Sequence, residues 1–130
     1  MKLGVVDHVD IVASDIKKSV EYYKKFGLVE IGTLDKGQTI FLGNKDERRP
    51  LVLEIHQAGA GQKPGIDHVA IYCDDVEGAY NELTKKGVEF SLKPRHGTAS
   101  GRVIAVTSDP DGIHIQLAKK TTHGDYEDFK

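Results

Sequence analysis

The chain has 130 residues, 38% of them apolar and 29% charged, with a formal net charge of −2. That length suits one compact domain, and the near balance of charge offers no field that would draw nucleic acid or an anionic membrane. A lone cysteine, Cys73, cannot close an internal disulfide, the start MKLGVVDHVD lacks the apolar stretch of a secretory signal, and no run nears the roughly 20 apolar residues that span a bilayer, so a soluble cytoplasmic protein is expected.

The first element in chain order alternates, with Asp7, Val9 and Ile11 on one face and His8, Asp10 and Val12 on the other, which is the period of a strand. Ser14 or Asp15 can then cap a helix in which Ile16, Val20 and Tyr23 recur at helical spacing, and Gly27 stands where a left-handed residue ends it. Strand-like runs follow at 29–34, 38–42 and 51–56, with a charged hairpin connection over 43–50. Residues 57–65 are a Gly-rich join. At Asp67-His68-Val69 the pattern begins again: Asp7, His8, Val9, Ile11, Asp15, Lys25 and Gly27 match Asp67, His68, Val69, Ile71, Asp75, Lys85 and Gly87 at a constant offset of sixty. The second copy has Asp74 or Asp75 as cap, a helix carrying Val76, Tyr80 and Leu83, then strands at 88–92, 102–107 and 113–118 with a tight turn at Asp109-Pro110-Asp111-Gly112. Each half reads β-α-β-β-β, and the ten residues from Thr121 form a polar tail. The organisation expected is one α+β domain over 1–120 built from two modules, about 5–56 and 66–118.

Such a module has a helix on one face of its sheet and nothing on the other, so two must pair to build a shared concavity. With Val9 and Ile11 packed on the helix, His8 takes the other face, and by repetition so does His68. In the strand 51–56, Leu51, Leu53 and Ile55 take the helix side and send Glu54 and His56 across. In 113–118 the same reasoning sends His114 and Gln116 across. Two imidazoles, one carboxylate and one amide oxygen therefore converge, a donor set for a borderline divalent ion such as zinc, nickel, cobalt, manganese or iron that leaves positions open for water or substrate. The competing reading has His8 and His68 simply bonded to backbone at strand starts. Asp10 shares the face of His8 and can orient it or touch substrate, as His56 and His114 can. Arg95, His96, Ser100 and Arg102 fall on a loop where Arg102 can bind an anionic group. Cys73 reads as a packed thiol.

Asp7-His8-Val9 followed by Ser14-Asp15 and Tyr22-Tyr23, the strand Leu53-Glu54-Ile55, the second Asp67-His68-Val69-Ala70, and Ser100-Gly101-Arg102 leading to Asp109-Pro110-Asp111-Gly112 together resemble the vicinal oxygen chelate superfamily over roughly residues 5–118. The resemblance implies two βαβββ modules forming a curved, U-shaped mixed sheet around a metal and substrate cleft. It places the metal ligands on His8, Glu54, His68 and Gln116, with Glu54 also the base, and it implies a homodimer acting on a small molecule. Gln116 departs from the pattern, since most metal-using relatives have a glutamate there and an amide cannot carry a proton away; this counts against the dioxygenase and fosfomycin-resistance classes. Val12 and Ala58 stand where enzymes that use glutathione place an arginine and an asparagine, so a substrate other than its hemithioacetal is expected. Methylmalonyl-CoA epimerase has its glutamine at the place of Glu54 and its glutamate at that of Gln116. The resulting expectation is a metal-dependent glyoxalase-like lyase or isomerase that moves a proton next to a carbonyl. The alternatives are an epimerase-like isomerase and a non-catalytic binding protein like the bleomycin-resistance members.

Overall fold

The structure, a computed structural model, describes residues 3–44, 51–96 and 102–120. The charged connection over 45–50, Ser100, Gly101, the polar tail from Thr121, and the side chains of Leu51 and Arg102 lie outside the described residues. Eight strands and two helices follow the order β1 (Leu3–Ala13), α1 (Ile16–Lys24), β2 (Val29–Leu34), β3 (Thr39–Gly43), β4 (Leu51–Gln57), β5 (Gly65–Cys73), α2 (Val76–Lys85), β6 (Phe90–His96), β7 (Arg102–Ser108) and β8 (His114–Lys120). This is the βαβββ pattern twice. Among the described residues no helix is long and apolar enough to cross a membrane.

The chain divides into two compact units, one holding residues 8–67 and the other holding residues 68–120 with the opening residues up to Asp7. The division falls just before each repeated histidine.

In the unit of residues 8–67 the strands run β2-β3-β4-β1, with β1 parallel to β4 and the other pairs antiparallel. Register sets the faces. Ile11 stands opposite Ile55, and Ile55 opposite Ile40, while Val9, Leu53 and Leu42 fill the next row on that side. Ile16 and Val20 of α1 bury themselves against Leu42, Ile55 and Ala13, with Ile11, Ile40, Leu53 and Tyr23 packed around them. Burying such side chains is worth about 1.5–3 kcal/mol each. The helix begins where Asp15 accepts from Lys18 N at 3.3 Å and ends before Gly27, whose φ of 92° fits the left-handed stop. A second clamp at its start comes from β4: Gln57 Oε1 accepts from Ile16 N at 2.9 Å, and Gln57 Nε2 donates to Ser14 O at 2.7 Å. Between β2 and β3 the chain turns through Asp35, Lys36 and Gly37, all with positive φ. Strand β2 carries an irregularity between Glu30 and Gly32.

In the other unit the order is β5-β8-β7-β6, again with one parallel pair, β5 with β8. Ile71, Leu117 and Ala105 share a row and pack with Cys73 under Val76, Ala79 and Leu83 of α2. Asp75 caps α2 by accepting from Gly78 N at 2.9 Å, and Tyr80 meets Phe90 edge to face at 5.0 Å. Cys73 is fully buried; its thiol donates to Asp75 O at 3.3 Å, and burial pushes its pKa up. Gly4 leaves room for Tyr72, whose ring would stand 2.9 Å from any Cβ at that position.

Two sequence expectations need correction. Strand β6 does not stop at Leu92 but continues through Lys93, Pro94 and Arg95 to His96, with register shifts between Phe90 and Leu92 and between Leu92 and Arg95. Arg95 and His96 are thus strand residues, exposed, rather than loop residues. Proline is tolerated because β6 ends the strand order and that side of its backbone needs no partner. Ile113 precedes β8 and is 49% exposed instead of joining Leu117 in the core. Its N–H is held by Asp109 Oδ1 at 2.8 Å, which closes the Asp109–Gly112 turn and stops the strand from starting earlier.

Candidate metal centre

The side of β1 and β4 turned away from α1 carries the polar residues. Asp10 stands opposite Glu54, and Glu54 opposite Phe41 of β3, so one row reads Phe41-Glu54-Asp10; the next reads Thr39-His56-Val12. Phe41 is fully buried with Ile31 and Leu34 against it, which gives the Glu54 carboxyl an apolar neighbour on one side and Asp10 on the other. His8 and Asp10 are buried to 2% and 3% exposure. Glu54 and His56 are half-buried.

Ligand atoms of His8 and Glu54 lie within 4.8 Å of each other. Atoms each about 2.0–2.2 Å from a shared ion are at most about 4.4 Å apart, so modest side-chain rotation brings these two onto one cation. An imidazole nitrogen and a carboxylate oxygen also match the chemistry of such an ion. Ligand atoms of Asp10 and Asp67 lie within the same spread.

Asp10 has the most perturbed surroundings. Burial pushes its carboxyl pKa up, a side-chain hydrogen bond with Glu54 works against that, and the charge of Asp67 adds to the rise. His56 Nδ1 is 2.7 Å from Asp10 Oδ1. The distance marks a close electrostatic contact, although the N–H does not point along the line of a well-formed hydrogen bond.

In the unit of residues 68–120 the corresponding row is Ala70-Gln116-Val106, and the row before it is His68-His114-Ser108. Gln116 is half-buried and His114 exposed at the head of β8. Register thus puts Gln116 beside Ala70 as it puts Glu54 beside Asp10, with alanine where the first module has its second carboxyl. Arg102 opens β7 opposite Lys120. Two neighbours of the centre, Phe41 and Asp67, were not singled out from the sequence. Asp67 was visible as half of a repeated Asp-His-Val, whereas Phe41 needed the β3–β4 register.

Comparison with known proteins agrees with the fold. The profile of the Glyoxalase/Bleomycin resistance protein/Dioxygenase superfamily matches residues 5–117. The chain belongs to that superfamily. Among superfamily relatives, the uncharacterized protein YraH of Bacillus subtilis is 28% identical over 121 residues, covering 85% of this chain and 94% of its own length. A lactoylglutathione lyase of Arabidopsis thaliana is 28% identical over 122 residues, 87% of this chain but 43% of the plant protein, so the chain spans less than half of that enzyme. The fold of Streptomyces coelicolor methylmalonyl-CoA epimerase superposes with a TM-score of 0.74 at 21% identity, covering 93% of this chain and 100% of the epimerase. The epimerase of Mycobacterium tuberculosis gives 0.74 at 20%, covering 92% and 90%. At such identities these structures establish the α+β fold of paired βαβββ units.

Proposed function

We propose that the protein is a metal-dependent lyase or isomerase of the glyoxalase type, which moves a proton next to a carbonyl of a small substrate. The observation that supports this most directly is the approach of His8 and Glu54 ligand atoms to within 4.8 Å. One divalent cation of zinc, nickel, cobalt, manganese or iron would be held by His8, Glu54 and His68, with the Gln116 amide oxygen as fourth ligand. Such an ion, when bound, withdraws electrons from a substrate carbonyl and acidifies the neighbouring C–H. Glu54 is the base in this reading, taking the proton from one carbon and returning it to another. Phe41 keeps water from one side of that carboxyl, and Asp10 occupies the other. Gln116 cannot take a proton, so proton transfer proceeds from one module only. Asp10, His56, His114 and Arg102 remain candidates for contact with substrate, and a homodimer is the assembly proposed.

An epimerase-like activity is the second reading, and the full coverage of the Streptomyces epimerase chain by this one favours it. Both readings are tested by metal analysis of the purified protein, followed by assays with hemithioacetals, 2-oxo acids and acyl-CoA esters. Metal in stoichiometric amount and turnover of one of these classes are expected, with Glu54→Gln lowering turnover by about 10²–10⁴-fold. Full activity in Glu54→Gln excludes Glu54 as base. Protein that binds no divalent metal, and keeps its ligand affinity after His8→Ala, is instead a binding protein of the bleomycin-resistance kind.

A further inference from the structure

Beside Glu54 the first module carries something the second lacks. Asp10 pairs with Glu54 across β1 and β4, and His56, two residues along β4, reaches back to Asp10 at 2.7 Å. The matching positions around Gln116 are Ala70, opposite it on β5, and Ala118, two residues along β8. Both alanines are buried, at 0% and 1% exposure. The repeat has therefore placed an aspartate and a histidine only next to the carboxylate, and small apolar residues next to the amide. Asp10 is itself 3% exposed, a costly place for a carboxyl unless its neighbours hold it.

We propose that Asp10 is a positioning residue for Glu54: clamped by His56, it fixes the rotamer in which Glu54 presents an oxygen to the cation. The inference rests on Glu54 being a metal ligand. A glutamate turns about three side-chain torsions, and freedom left in them must be lost when the ion arrives. A hydrogen bond between the Asp10 and Glu54 carboxyls, one of which then carries the proton, removes that freedom beforehand. His56 in turn keeps Asp10 aimed at Glu54, since the contact with its Nδ1 opposes rotation of the aspartate away. Outer partners of this kind orient the groups that touch a metal and strengthen binding without touching it themselves.

The test is a titration of metal-free protein with Zn²⁺ alone, read by competition with a chromophoric chelator, in the native chain and in Asp10→Ala, Asp10→Asn, His56→Ala and Glu54→Ala. Asp10→Ala is expected to weaken Zn²⁺ binding by about 10–100-fold. Asp10→Asn, which keeps the shape, can donate to Glu54 and keeps an oxygen for the contact with His56, restores most of that loss, and His56→Ala falls between them. Thermal melting of the metal-free proteins separates the effect from folding: Asp10→Ala and Asp10→Asn that melt alike yet bind Zn²⁺ differently report on positioning. If Asp10→Ala does not fold, the comparison of native, Asp10→Asn and His56→Ala decides. Native affinity in Asp10→Ala or His56→Ala, or no rescue by Asp10→Asn, overturns the inference. Native affinity in Glu54→Ala would instead remove Glu54 from the ligands, a failure of the underlying reading; weak binding in Glu54→Ala with native binding in Asp10→Ala is a failure of the positioning role alone.

Discussion

Gln57 and Ile16, forty-one residues apart in sequence, are joined by a 2.9 Å hydrogen bond from the Ile16 N–H to the Gln57 side-chain oxygen. The same amide donates to Ser14 O at 2.7 Å, so β4 grips the first turn of α1 from outside the helix. Helix starts leave N–H groups without intrahelical partners, and Ile16 itself is buried. Gln57→Ala is expected to cost about 1–3 kcal/mol in urea denaturation, the range for a polar group left without its partner. Gln57→Glu keeps the acceptor for Ile16 but turns a negative oxygen toward Ser14 O, and should recover only part of the loss. A change under about 0.5 kcal/mol in Gln57→Ala would show that water replaces the clamp freely.

The two helix caps differ in a way the repeat itself explains. Asp15 accepts from Lys18 N at 3.3 Å, whereas Asp75 accepts from Gly78 N at 2.9 Å. A Cβ at residue 78 would collide with the Asp75 carboxylate, so the glycine is what permits the shorter bond. Alanine in place of a helical glycine normally stabilises by about 1 kcal/mol. Here Gly78→Ala should yield close to nothing, because it loosens a cap of similar worth. In an Asp75→Ala background the same substitution should recover its ordinary gain. Melting of the two single variants and the double variant checks this; strict additivity would disprove the coupling.

Cys73 links stability to alkaline pH. Its thiol is fully buried and its pKa is raised above the ordinary 9.0, chiefly by burial. Below that ordinary value both folded and unfolded chains keep the proton, and the site contributes no pH dependence. Above it the unfolded chain ionises while the folded one holds its proton, so unfolding gains and stability falls as pH rises toward the folded pKa. The stability difference between the native chain and Cys73→Ala should be constant from pH 6 to about 8 and narrow from about pH 9 upward, by at most about 1.4 kcal/mol per pH unit. A difference that stays flat to about pH 10 contradicts the raised pKa.

Gln116→Glu tests whether the second module can be given the first one's chemistry. The residue opposite is Ala70, fully buried and too short to compete for the new carboxylate. The variant should keep its metal and turn over faster, because a second group can then take a proton. Metal content and initial rates measured side by side decide it. Loss of metal in Gln116→Glu would mean that the amide is required as such.

Much of the fold could be read from the repeat, because the offset of sixty compares each uncertain position with a second example. Asp15 and Asp75 both proved to be caps, and Gly27 and Gly87 both have a φ of 92°. Strand parity also put Ile11, Ile55 and Leu117 on the helix sides. Neighbours across strands were less legible, since alternation gives a side chain's face but not its row. The approach of His56 to Asp10 and the burial of Phe41 beside Glu54 depend on register, and register depends on turns such as the one through Asp35, Lys36 and Gly37. Strand β6 runs past Leu92 because Pro94, a breaker inside a sheet, is harmless in a strand that ends the strand order.

That same placement governs how the protein behaves when crowded. Strands β2 and β6 each stand at an end of their unit's order, and each is irregular: β2 between Glu30 and Gly32, β6 at two points along Phe90–His96, a stretch that includes Lys93, Pro94 and Arg95. A kinked strand bearing charge and a missing N–H is a poor template for another chain's backbone. Along these two strands, copies of this protein should not zip together backbone to backbone when concentrated, and contact there has to be made by side chains.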